Sequence, residues 1–118
     1  MLYVDLKRLI DSQSIPDTKV FALRIPEKEI NQFINQKSSC LIRVNTSTKY
    51  IDQCASNKAK LFENRASIDA WSYNPAFLDE LEQSLRETLE QNNIYIISSS
   101  VDIDSDIDAF RLKLKVKQ

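Results

Sequence analysis

The sequence predicts an α+β domain: a single mixed sheet of about four strands with a C-terminal β-hairpin, and three to four helices packed mainly on one face, in the order α-β-α-β-α-α-β-β. Three observations point there. Apolar stripes of helical period alternate with short β-rich runs through the first half of the chain. The last quarter carries two strand-like runs joined by an acidic turn. The chain has 118 residues, 42% hydrophobic and 28% charged, which suits one core of modest size over residues 1–118 and neither two domains nor a disordered chain.

Residues 2–13 read as a helix, because Leu2, Leu6, Leu9 and Ile10 share one face while Asp5, Lys7 and Arg8 lie mostly outside it. A short strand through Leu2, Val4 and Leu6 is the competing pattern. Pro16-Asp17 marks a turn. Lys19 to Ile25 is rich in side chains that favour a pleated, half-buried surface, and predicts a strand. Pro26 ends it and suits the first position of a helix, whose first turn carries Glu27 and Glu29 against the positive end of the dipole. Ile30, Phe33 and Ile34 form that helix's apolar face, and it should end near Lys37.

Cys40 to Asn45 predicts the second strand. Beyond it, Thr46 or Thr48 can cap a helix whose stripe runs through Ile51, Ala55, Ala59, Phe62 and Ala66. Ser67 to Tyr73 fits neither period cleanly. Asn74-Pro75 then signals a helix start, with Asn74 as the cap and Pro75 inside. Phe77, Leu78, Leu81, Leu85, Thr88 and Leu89 line one face of that helix, and Glu82 and Arg86 form an i,i+4 pair. Asn92-Asn93 ends it. Ile94 to Val101 and Ala109 to Lys117 predict the closing hairpin. A two-residue turn at Ser105-Asp106 would set Val101 against Phe110, Ser99 against Leu112, Ile97 against Leu114 and Tyr95 against Val116 as the core face. Arg111, Lys113, Lys115 and Lys117 would occupy the opposite face, beside Ile94 and Ile96.

Composition narrows the chemistry. The chain has no glycine and no histidine. The glycine-dependent phosphate loop, dinucleotide fingerprint and nucleophile elbow are therefore missing. So are Ser-His-Asp and Cys-His pairs and every histidine metal ligand, and two cysteines cannot complete a four-thiolate zinc site. Cys40 and Cys54 read as reduced, partly buried thiols. No apolar run reaches the ~20 residues of a membrane span, and the N-terminus lacks the pattern of a secretory leader. These features predict a cytoplasmic protein without a cofactor, and a non-enzyme. Net charge is −1, yet residues 1–60 hold ten basic and six acidic side chains and residues 61–118 hold six and eleven. Such segregation favours protein partners over a long polyanion, and the two edges of a four-stranded sheet with generous helical stripes suit self-association.

Four groups of residues are candidate sites. Trp71 and Tyr73, ahead of the helix at Asn74, form an aromatic pair suited to anchoring a protein interface; packing over the helices is the competing role. Arg111, Lys113, Lys115 and Lys117 put four cations on one strand face, where they would meet an acidic protein or phosphates, or protect an edge strand from unwanted pairing. The alternation Asp102, Asp104, Asp106 and Asp108 offers oxygen ligands for a divalent cation, but the loop lacks the glycine and the final glutamate of an EF-hand, so a solvated acidic turn is expected and no metal is assigned. Asp17, Lys19, Glu27, Lys28 and Glu29 surround the first strand without the Asp and Glu-x-Lys spacing of a metal-dependent nuclease. The resulting expectation is a non-catalytic protein-binding module, such as a small subunit, adaptor or inhibitor. The alternatives are a nucleic-acid-associated protein using the basic strand face and, behind it, a small metal-dependent nuclease or phosphodiesterase.

Overall fold

A computed structural model describes residues 2–46 and 65–118. Helix α1 (Leu2–Ser12) is followed by strand β1 (Thr18–Ala22), helix α2 (Glu27–Gln36) and strand β2 (Cys40–Thr46). Strand β3 (Arg65–Ser72), helix α3 (Pro75–Gln91), strand β4 (Tyr95–Asp104) and strand β5 (Ala109–Lys117) complete the described chain. The five strands form one mixed sheet in the order β1-β2-β3-β5-β4. Strands β1 and β2 are parallel neighbours joined through α2, and the other pairs are antiparallel. This is the α+β architecture read from the sequence. The stretch that fitted neither period supplies a fifth strand, β3, at the centre of the sheet. Ala66, expected on a helix stripe, lies in that strand; the rest of that stripe, Ile51 to Phe62, lies outside the described residues.

The main core forms on one face of the sheet. Alternation sends Ile42, Val44, Ile68, Ala70, Leu112 and Leu114 to that side, where they pack against Leu2, Leu6 and Ile10 of α1 and Leu78, Leu81, Leu85 and Leu89 of α3. Each of these α3 leucines is buried, so truncation of any one to alanine costs about 2–5 kcal/mol. Helix α3 starts as expected: the Asn74 side chain accepts a hydrogen bond from Ala76 N at 3.0 Å, with Pro75 at its first position. It ends in a Schellman-type turn. Asn93 adopts φ 61°, Asn93 N donates to Glu90 O at 3.1 Å and Ile94 N to Leu89 O at 2.9 Å. Asparagine is the residue that best replaces glycine there.

A smaller core forms on the opposite face, at the β1–β2 end. Leu41 and Trp71 point away from Ile42 and Ala70, and pack with Phe33, Ile25 and Ala109, flanked by Phe21, Ile30, Ile34 and Tyr73. Helix α2 thus covers part of this face, while α1 and α3 cover the other. Strand β1 ends earlier than its composition suggests. Leu23 has φ 70°, and Arg24 N bonds back to Ala22 O at 2.8 Å. This i→i+2 closure about a positive φ is the strained form of the γ-turn. It lifts the chain out of the sheet and delivers Ile25 to the smaller core.

The hairpin differs from expectation in two respects. Its turn spans four residues, Ser105 to Asp108. Asp108 takes φ 56° and donates its N–H to Asp104 O at 2.7 Å. Val101 therefore faces Leu112 and Ser99 faces Leu114, a slip of two residues that keeps each side chain on its face. The register then shifts between Ile96 and Ser98. A bulge at this point exchanges the faces of the residues before it: Ile96 opposes Val116 and packs on the main core, and Tyr95 opposes Lys117 on the other side.

Candidate interaction surface

Trp71 and Tyr73 do not form an exposed pair. Trp71 is 6% exposed, because strand alternation aims its ring into the smaller core. Its indole Nε1–H donates to Asp104 Oδ2 at 2.9 Å. The Arg43 guanidinium lies 5.3 Å from the ring and is held by Asp69 at 2.8 Å. Tyr73 stacks on Phe33 with ring centroids 5.2 Å apart and donates its hydroxyl to Ile107 O at 3.0 Å. Lys37 Nζ sits 4.2 Å from the Tyr73 ring centroid. Both aromatics thus tie the β4–β5 turn to α2. Trp71 forms the floor of a groove of about 290 Å³ whose walls include Leu23, Ile25, Ile30, Arg43 and Asp104.

The basic residues occupy the centre of the sheet. Strand β5 lies between β3 and β4, so its lysines do not protect an edge, contrary to that expectation. Arg111, Lys113, Lys115 and Lys117 point to the face away from α1 and α3, opposite Trp71, Asp69, Ser67 and Arg65 of β3. Arg111 makes two bonds to Asp102, Nε–Oδ1 at 3.0 Å and Nη2–Oδ2 at 2.8 Å. This fork holds the Asp102 carboxyl below its ordinary range and raises the guanidinium further. Lys113 Nζ is 4.0 Å from Asp102. Lys113, Lys115 and Lys117 are exposed. Ile94 and Ile96, expected beside the lysines, instead enter the main core. Tyr95, expected on the core face, joins the lysine face at 49% exposure.

Two of the four acidic residues have side-chain partners among the described residues. Asp102 is committed to Arg111. Asp104 accepts from Trp71 and from Asp106 N at 3.0 Å, and so braces the turn. Among the described residues, no group of three or more His, Cys, Asp or Glu converges as a cation site. Around β1, Lys19 Nζ bridges Glu29 at 2.8 Å and Gln32 at 3.3 Å, while Asp17 Oδ2 accepts from Ser39 N at 2.8 Å. The Cys40 thiol is free and buried, and burial pushes its pKa up to about 12. No helix of the described residues is long and apolar enough to cross a membrane.

The feature that sequence reasoning missed is the place of β4 at the rim of the sheet. The strand ends the sheet, and almost every residue along it is exposed. Val101 and Ile103 lie on the core side of the sheet, yet they are 50% and 60% exposed. Ile97, at the bulge, is 48% exposed. A run of three serines, Ser98–Ser100, polar on both faces, is the sequence signal of this exposure. The edge of β4 away from β5 pairs with no strand among the described residues. It offers a row of backbone donors and acceptors flanked by apolar side chains. Comparison with known proteins finds no matching family model, no similar curated protein and no similar solved structure.

Proposed function

We propose that this chain is a non-catalytic protein-binding module that acts by strand addition at the edge of β4, which pairs with no other strand among the described residues. The observation that carries the proposal is the exposure of Val101 and Ile103 along a ten-residue terminal strand. Edges of this length are ordinarily blunted by lysine, proline, bulges or covering elements. The single bulge lies near Ile97 and leaves Ser98–Asp104 regular, without lysine or proline, and the two charges of that stretch, Asp102 and Asp104, are engaged by Arg111 and Trp71. An extended partner segment would gain main-chain hydrogen bonds from this edge and specificity from the side chains on either face. The internal commitments of Asp102, Asp104 and Lys19 support a binding rather than a catalytic role.

A second reading has one observation in its favour. Lys113, Lys115 and Lys117 stand on a central strand with the half-exposed Tyr95 on the same face, an arrangement suited to phosphates and to a stacked base. One experiment separates the two. The tagged chain and a Val101→Lys/Ile103→Lys variant are used to capture partners from the host lysate, with and without nuclease. The protein reading expects a stoichiometric protein that survives nuclease and is lost with the variant. Recovery dominated by RNA or DNA, retained by that variant and lost when Lys113, Lys115 and Lys117 are replaced, would overturn it.

A further inference from the structure

This inference rests on the strand-addition reading and names the partner: we infer that the segment taken up by β4 is the β4 of a second copy of this chain, antiparallel and centred on Val101. The regular part of the strand runs from Ser98, just after the bulge, to Asp104, just before the turn. Val101 is its midpoint. A two-fold axis midway between the two Val101 residues, perpendicular to the sheet, uses that whole segment and no residue outside it.

The side chains fit this register and reject its neighbours. With Val101 opposite Val101 of the second copy, Asp102 faces Ser100 and Asp104 faces Ser98, so hydroxyl donors meet carboxylate acceptors on the lysine-bearing side. Ile103 faces Ser99 on the other side and lies diagonal to Val101 of the second copy, within reach of apolar contact. The two apolar side chains left most exposed on the core side of β4 are thereby covered twice, once in each copy. Centring the axis on Asp102 would set two carboxylates against each other, and centring it on Ile103 would set Asp102 against Asp104. Centring it on Ser100 would draw in the bulge at Ile97. A parallel pairing in register would align every aspartate with its own copy, and like charges directly opposite destabilise a strand pair. The interface is isologous, as a two-fold dimer requires.

The test uses the whole chain. Sedimentation across a concentration series should show a monomer–dimer equilibrium. Val101→Lys should yield a monomer with an unchanged circular-dichroism spectrum, because that side chain is half exposed. Ser100→Asp should weaken the dimer at least tenfold by placing a carboxylate against Asp102 of the second copy. Adding Asp102→Ser to it exchanges acid and hydroxyl across the axis, and should restore most of the lost affinity. A chain that stays monomeric at every concentration overturns the inference, as does a dimer that Val101→Lys and Ser100→Asp leave intact. If the monomeric chain still captures a different protein through Val101 and Ile103, strand addition stands and only the identity of the partner falls.

Discussion

At the scale of single residues, the absence of glycine governs the turns. Six non-glycine residues among those described hold positive φ: Ser14, Asp17, Leu23, Lys37, Asn93 and Asp108. Asn and Asp tolerate this region through local hydrogen bonds, whereas a bulky side chain meets a real steric cost there. Leu23 is the outlier, since it is 45% exposed and regains little by burial. Leu23→Gly should therefore stabilise the protein by up to about 1 kcal/mol, relief of strain exceeding the added entropy of the unfolded chain. Urea denaturation checks this, and a clear loss of stability would show that Leu23 packs better than its exposure suggests. Cys40 gives a second expectation. Burial holds its pKa near 12, so the reactive thiolate is scarce at neutral pH. A soluble thiol reagent should label Cys40 only as fast as the protein unfolds, as followed by peptide mapping, and rapid labelling in native buffer would contradict the burial.

At the scale of elements, helices were legible because a helix declares itself by one face. The Asn74-Pro75 start and the leucine stripe of α3 appear in the structure as read. Strands declare less. Residues 65–70 do alternate, with Ala66, Ile68 and Ala70 buried between half-buried Arg65, Ser67 and Asp69, but Ala66 also fits the preceding helical stripe and the adjacent Ala70 and Trp71, which enter opposite cores, interrupt the period at the strand's end. The β5 strand was readable for the opposite reason, since its outer face is almost wholly basic. The hairpin register was recovered only in its parity, and only from Ser98 to the turn, because a four-residue turn and a bulge leave no distinct mark in a sequence without glycine. The Asp102–Arg111 fork now crosslinks that hairpin. The folded state holds Asp102 below its unfolded pKa. Its stabilising contribution is therefore complete above the ordinary carboxylate range and is lost as pH falls through the lower folded value. Asp102→Asn should melt at a lower temperature than the parent at neutral pH, with the gap closing in acid. A gap that is constant with pH would mean the charge of Asp102 is not what binds the hairpin.

At the scale of the whole molecule, the sheet separates two kinds of surface. One face is covered by α1 and α3 except along β4, where Val101 and Ile103 stay exposed. The other is shared between α2, the charged network around Arg111, and exposed lysines. Neither the strand order nor which strand lies at the rim follows from local pattern, because edges are set by pairings between distant segments. That is why the lysines of β5 were read as edge protection, and why Val101 and Ile103, which alternation places on the core side, could not be recognised as uncovered. Segregated charge and missing catalytic residue types pointed to a binding role, whereas the edge proposed for that role appeared only once β4 was seen to end the sheet.

The most direct measurement of that role is amide hydrogen exchange across Ser98–Asp104 as the purified protein is concentrated, with the Val101→Lys chain as reference. If β4 takes up a strand from a second copy, its outward amides become protected as concentration rises, in the parent alone, while Arg65–Ser72 exchanges at the same slow rate throughout. Exchange across Ser98–Asp104 that is independent of concentration and identical in the two chains would contradict the assignment.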